Sequence, residues 1–239
     1  MDENYGRQYR ELYNGHWWWR ARESLITSIV DGIRRDGNHG PIHDVGCGDG
    51  LFLDRLSQFG EVDGIEADGA LVRDDNPWKQ RIHIGPFDDQ FQPGKRYSLI
   101  LMLDVLEHFS DPRSCLARAH QLLDSAGTLL ITVPAFCCLW TTHDDLNHHK
   151  TRYTKSTLNE VIEYAGVKIV SSRYFFHWAF PTKLLIHYKE RMFPTNPRVP
   201  EVPGRLINES LYWLSVLEQR VFGSLPLPFG SSLLAVCSK

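Results

Sequence analysis

Two stretches of this chain hold residue types in patterns that chemistry can use. The first runs from His143-Asp144-Asp145 through His148-His149 to Arg152-Tyr153, with three histidines, two acids, an arginine and a tyrosine. Histidine titrates where a base is useful at neutral pH, so a hydroxyl that must lose its proton could pass it to such a side chain. His143 or His148 could be that base, with Asp144 or Asp145 orienting the ring. The same residues also read as a polar loop whose histidines satisfy backbone groups. A third reading is a zinc or manganese site built on His143, His148, His149 and the acids. The expectation taken forward is a base and no metal.

The second stretch is Asp44-Val-Gly-Cys-Gly-Asp-Gly50. It reads as a strand end, a turn at Gly46, Gly48 and Gly50, and a helix opening on Leu51. Glycine lets a backbone turn sharply and come close to a ligand, and a helix start adds unpaired N–H groups. A dinucleotide turn wants a third glycine where Leu51 stands; Gly50 comes one residue early. Asp44 would repel a pyrophosphate. It suits a ligand with positive charge, such as the sulfonium and amino groups of S-adenosylmethionine. A second strand, Val62-Asp-Gly-Ile-Glu66, ends in an acid about 20 residues past the turn, where a carboxylate grips ribose hydroxyls.

Positioning these groups calls for alternating strands and helices. Strands are expected at 42–46, 61–66, 81–85, 97–103, 127–133 and 167–175, and a last one at 232–237. Helices are expected at 5–36, 50–59, 112–123 and 155–165. Near-continuous apolar strands between helices mean a parallel sheet covered on both faces, with ligands bound outside the strand carboxyl ends. Both chemical stretches follow strands, so they fall on one rim. Asp75-Asn-Pro-Trp78 looks like an amino-methyltransferase motif, but it precedes the third strand and reads as a turn.

The glycine turn, Glu66 and Leu101-Met-Leu-Asp-Val-Leu-Glu-His108, in that order, resemble the class I S-adenosylmethionine-dependent methyltransferases, especially their small-molecule branch. The likeness spans roughly residues 40 to 175. It implies an α/β Rossmann-like fold with a mostly parallel seven-stranded sheet whose last strand is antiparallel. It further implies that Asp44, Gly46 and Gly48 hold the methionine part, Glu66 the ribose, and Phe87 with Asp88 the adenine, although Pro86 stands where the family often has an acid. Leu103 and Asp104 would line the methionine end. His16-Trp-Trp-Trp-Arg20 resembles the aromatic-basic segment that covers the pocket in relatives. Three consecutive tryptophans cannot share one helix face, so at least one should meet a cleft or a partner. The His-Asp…His-x-x-Arg-Tyr stretch is similar to one in many bacterial relatives and names no single acceptor.

With 239 residues, the chain suffices for one domain: a helical cover over 1–40, a cofactor core over 41–175, a helical lid over 176–230 and a last strand over 231–239. Its net charge of −3, with no basic block, argues against nucleic acid. Five irregularly spaced cysteines make no disulfide framework, and the start lacks a signal-peptide pattern, so a cytoplasmic protein is expected. No apolar run is long enough for a transmembrane segment. A monomer or homodimer is expected. The lid joins His177-Trp-Ala-Phe-Pro181 to an apolar-basic helix, a proline-rich linker (194–203) and a helix at 205–223 with Ile207, Leu211, Leu214, Leu217 or Glu218, and Val221 on one face. Packing on the domain, a membrane surface or another subunit would each use that face. The expected activity is methyl transfer from S-adenosylmethionine to a small, apolar or amphipathic acceptor, at oxygen if the histidine base is real. The alternative is a lipid-linked or saccharide acceptor at a membrane surface. A nicotinamide oxidoreductase is disfavoured by Asp44 and the missing glycine; a binding protein without turnover is a further alternative.

Overall fold

Buried apolar runs set the strands. The computed structural model describes residues 3–37, 39–193, 196–197, 199–223 and 225–239. Parts of the expected chain start, the 36–41 loop, the lid linker and the lid's closing turn (residues 1, 2, 38, 194, 195, 198 and 224) lie outside the described residues. Ile42–Val45 (β1) is buried throughout. Val62–Glu66 (β2), Ile82–Ile84 (β3), Tyr97–Leu103 (β4) and Leu123–Pro134 (β5) lie parallel in one sheet, joined by Lys168–Phe175 (β6) and Ser232–Ser238 (β7). The order is β3-β2-β1-β4-β5-β7-β6, and β7 runs antiparallel to both neighbours. The chain therefore reverses its direction of winding between β1 and β4, which are paired from Ile42↔Leu99 to Val45↔Met102. A crevice opens at that switch point, outside the carboxyl ends.

Alternation along β4 divides the core. Leu99 and Leu101 face Ile26 and Val30 of Trp17–Arg35 (α2) and Leu53 and Leu56 of Leu53–Leu56 (α3). Ile100 and Met102 face Leu116 and Ala119 of Pro112–Leu122 (α4), with Leu158 and Ile162 of Lys155–Tyr164 (α6) in the same cluster. Helices thus cover both faces, as the continuous apolar strands require.

Three expected elements differ. The helix over 5–36 is two helices, Glu3–Gly15 (α1) and α2, because His16 is extended (φ −81°, ψ 135°) and its Nδ1 accepts from Trp18 N–H as the cap of α2. The helix expected over 50–59 is one turn, α3, followed by a 3-10 turn at Ser57–Phe59. Gly50 N–H bonds Cys47 O and Leu53 N–H bonds Gly50 O, so the tight turn uses the residues that would have started a longer helix. The fifth strand begins at Leu123, paired with Tyr97, rather than near 127.

Gly64 in β2 is a point of close approach. A Cβ there would sit 2.6 Å from Cys47 Sγ, 2.9 Å from Cys47 Cβ and 3.2 Å from Asp44 O. The backbone on the turn side cannot yield without moving β1, so Gly64→Ala should destabilise the fold by about 1–3 kcal/mol through overpacking. Urea denaturation reads this directly, and an unchanged midpoint would refute it.

Candidate active site

The strand ends, the loop after β5 and the first lid helix enclose a cavity of about 1220 Å³. Its floor is the glycine turn. Gly46 has φ +70°, and a Cβ on it would come within 2.7 Å of Val105 Cγ2; Gly48 has φ +55°. Both line the cavity and both need a residue without a side chain. Glu66, at the end of β2, accepts Gly48 N–H at 2.8 Å and Asp68 N–H at 2.9 Å, so one carboxylate fixes the turn and faces the cavity. Phe87 and Leu103 are in the wall as expected for a cofactor contact.

Two of the expected cofactor residues are placed otherwise. Asp88 is exposed, outside the wall, and accepts Gln90 N–H at 2.8 Å as a turn residue. Asp44 is buried at 4 % exposure and is not part of the wall; Arg22 and Glu66 are its charged neighbours. Burial pushes its carboxyl up to about 7, Arg22 pulling the other way. A cationic ligand nearby would favour its ionised form. A pocket with two buried acids and a side-chain-free turn fits S-adenosylmethionine better than a phosphate chain.

The cover contributes what the sequence left unassigned. Arg10 of α1 bonds Asp49 of the glycine turn at 2.5 Å. Arg22 of α2 is buried and pairs with Asp104 Oδ2 at 2.7 Å. Asp104 itself has φ +57°, an uncommon conformation for a non-glycine residue, at the exit of β4. Trp17, Trp18 and Trp19 all line the cavity, because the first turn of α2 points its end at the site. Trp17 packs on Trp178 at 5.1 Å between ring centroids.

The loop after β5 is closed at its neck by Phe136 N–H to Tyr153 O and Tyr153 N–H to Pro134 O. Within it Thr142–Leu146 (α5) is capped by Thr141, and Asp144 is fully buried. Asp144 accepts from Thr141 N–H (2.8 Å), Arg152 Nε (2.8 Å) and Nη2 (3.1 Å), and His149 Nδ1 (2.8 Å). Burial raises its carboxyl, but the bonds from His149 and the Arg152 charge win, holding it well below the usual carboxylate range. An ionised carboxylate only accepts, so His149 Nδ1 carries a proton, and in the neutral ring Nε2 is the acceptor. That Nε2 lies 3.9 Å from Glu107 Oε1.

The histidines singled out in the sequence differ in their placement. His148 is exposed, has φ +56°, and is not in the cavity wall. His143 is in the wall, yet its Nε2 is met by Asn147 Nδ2 at 3.1 Å, and burial with Lys183 pushes it down to about 4. Neither expected carboxylate orients it as a dyad: Asp144 serves His149, and Asp145 accepts Trp140 Nε1. The oriented ring is His149, whose signal in the sequence was its place five residues after Asp144 and three before Arg152.

Glu107 is buried with both carboxylate oxygens unpartnered among the described residues, and burial raises it well above the usual range. Glu107, His108 and His149 bring ligand atoms within 4.8 Å of one another, close enough to hold a divalent ion, which the sequence reading had not expected of this trio. The roof is Ala179–Met192 (α7), which turns Ala179, Thr182, Lys183, Ile186 and Glu190 inward at helical spacing. Glu190 accepts from Thr142 N–H and Oγ1, and His187 Nδ1 donates to Trp140 O at 2.6 Å, so the roof is latched to the histidine loop.

Comparison with known proteins agrees with this geometry. The chain is 24 % identical over 144 residues to a ubiquinone biosynthesis O-methyltransferase of Azorhizobium caulinodans (57 % of this chain, 47 % of that protein). It is 30 % identical over 97 residues to the enzyme of the same name from a Ruegeria species (36 % and 38 %). The chain thus spans less than half the length of these two relatives. In fold it resembles a SAM-dependent methyltransferase from Archaeoglobus fulgidus (TM-score 0.57, 15 % identity, 91 % and 94 % coverage). It also resembles a TehB-like SAM-dependent methyltransferase from Corynebacterium glutamicum (TM-score 0.54, 19 % identity, 99 % and 97 %). Residues 18–179 match the methyltransferase domain family. As that match takes in the glycine turn, Glu66 and the histidine loop alike, the chain belongs to the methyltransferase domain family, and its sheet has the fold of the class I S-adenosylmethionine-dependent methyltransferases.

Proposed function

We propose that this chain methylates a hydroxyl on a small acceptor with an apolar portion, using His149 as the base. The observation that carries the reading is the His149–Asp144 pair with Nε2 left as an acceptor at the cavity. Bound S-adenosylmethionine supplies an electrophilic methyl group. Gly46, Gly48 and Glu66 would hold it, with Phe87 and Leu103 beside it, and the buried Asp44 at the end of β1 would favour its positive charge. His149 Nε2 takes the acceptor's proton, and Asp144 holds the ring by Nδ1 and stabilises the imidazolium that forms. Glu107, its carboxyl raised by burial, is available to hydrogen-bond the acceptor. Trp17, Trp18, Trp178 and Ile186 supply an apolar wall, while the latched roof excludes water. The named relatives are O-methyltransferases, which supports oxygen as the accepting atom. A second reading, favoured by the apolar outward side of the lid, is a lipid-linked or saccharide acceptor reached at a membrane surface.

Three outcomes are expected. His149→Ala should lower kcat by about 10²–10⁴-fold on the best hydroxyl acceptor from a panel of phenols and catechols, with S-adenosylhomocysteine affinity unchanged. His143→Ala should cost much less. Turnover that vanishes on chelation and returns with a divalent cation would instead make Nε2 a ligand and remove the base assignment.

Glu66→Ala should weaken S-adenosylhomocysteine by about 1–3 kcal/mol in calorimetry, since it loses a ligand contact and loosens Gly48. Affinity for S-adenosylmethionine should rise with pH through about 7, because a cation favours ionised Asp44. Asp44→Asn should flatten that dependence; an unaltered slope in the variant would exclude Asp44 as its origin.

A further inference from the structure

The helix Arg205–Phe222 (α8) is amphipathic in the inverted sense. Its buried residues are Asn208, Ser215 and Glu218, and each is used as a fastener. Asn208 accepts Trp17 N–H and donates to Gly15 O, both at 2.8 Å. Ser215 accepts from Trp178 Nε1 at 3.1 Å. Glu218 accepts from His177 N–H at 2.7 Å and Nδ1 at 2.8 Å. The apolar side traced in the sequence is turned out: Ile207 is 62 % exposed, Leu214 44 %, Leu217 58 % and Val221 54 %, with Trp213 at 58 %. The rest of the molecule hides its apolar side chains. Fourteen of the seventeen exposed large apolar residues among those described fall between 185 and 229.

Charge selects the occupant. Both acids of α8 are engaged within the molecule, Glu218 with His177 and Glu209 with Arg20 at 2.5 Å. Arg205 and Arg220 are exposed near the two ends of the helix, and Lys189 and Arg191 are exposed at the end of α7. Residues 176–230 hold six basic and four acidic side chains in a chain whose net charge is −3. A second copy docking through the same patch would bring this basic rim against itself, since a two-fold contact is isologous. An anionic lipid surface answers both features: apolar side chains enter the interface while arginines meet the headgroups.

We propose that the outward face of α8 docks the protein on an anionic bilayer, with Trp213, Leu214 and Leu217 inserted and Arg205 and Arg220 on the headgroups. The chain leading into α8 adds Asn196 and Pro200 to the cavity wall, so the docked face continues into the site. This deepens the lipid-linked reading, but rests on the helix face and not on methyl transfer.

Sedimentation of the full chain with phosphatidylcholine vesicles containing phosphatidylglycerol, against phosphatidylcholine alone, tests it. Binding should be at least about tenfold stronger to the anionic vesicles and weaken with salt. Leu214→Glu with Leu217→Glu should lower partitioning about tenfold or more, leaving S-adenosylhomocysteine affinity intact. Tryptophan emission should shift to the blue on vesicle addition in the native chain, and less in Trp213→Phe. No sedimentation with either vesicle, or equal partitioning of the double variant, overturns the proposal. A concentration-dependent dimer that the double variant dissolves would give the face to a second copy and overturn it too. Loss of homocysteine-product binding in the native chain would count against the cofactor reading separately.

Discussion

The buried carboxylate of Asp144 is the interaction on which the reactive side of this molecule depends. A charge without exposure is costly unless every lone pair finds a donor, and Asp144 finds donors from a backbone cap, an arginine and a histidine. Each donor comes from a different part of the loop after β5. Satisfying one anion thereby closes α5, draws Arg152 under the neck and turns His149. Arg152 extends the same network by donating Nη1 to Ala135 O at 2.7 Å, back to the strand end. The loop needs little apolar core of its own because its order is electrostatic.

The two halves of the cavity are built by different means. The cofactor half is largely backbone: a turn with positive φ, a strand-end carboxylate on amide N–H groups, and glycine where a methyl would collide. Such a surface tolerates little change and suits one constant ligand. The other half is made of side chains from the cover, the histidine loop and α7, held by polar contacts such as those of Glu190 with Thr142 N–H and Oγ1. That half can alter its lining without disturbing the sheet. One physical scheme thus keeps a fixed donor site beside an adjustable acceptor site.

Much of this was legible in the sequence, for identifiable reasons. β4 is a largely apolar run between turn residues, β1 and β2 each carry apolar residues at their first and fourth positions, and the glycine spacing with Glu66 marks a ligand turn. The expected order of elements therefore matches the sheet. Helix periodicity over 205–223 correctly found one apolar side, but periodicity carries no sign: it cannot say whether that side packs or faces out. Here Asn208, Ser215 and Glu218 decide, through partners 191 and 193 positions away for Asn208 and 37 to 41 for the other two. The histidine loop failed differently. Residue types were right, yet which of three rings meets Asp144 is set by a left-handed residue at His148 and by the neck at Tyr153, neither visible as spacing. Arg10 and Arg22 escaped because lone arginines on a helix read as solvated; only the fold brings Asp49 and Asp104 to them.

The bonds from Asn208 to Gly15 and Trp17 span 193 and 191 positions of chain. Contacts of such separation close only after the intervening polypeptide exists and has collapsed, since loop-closure entropy must be met first. During synthesis the donor crevice can form while the roof and α8 are still inside the ribosome. The enclosure therefore waits for α8, so a chain that stalls before it has a cofactor floor with no ceiling. Sealing of the chamber thus ties the first segments made to one made much later.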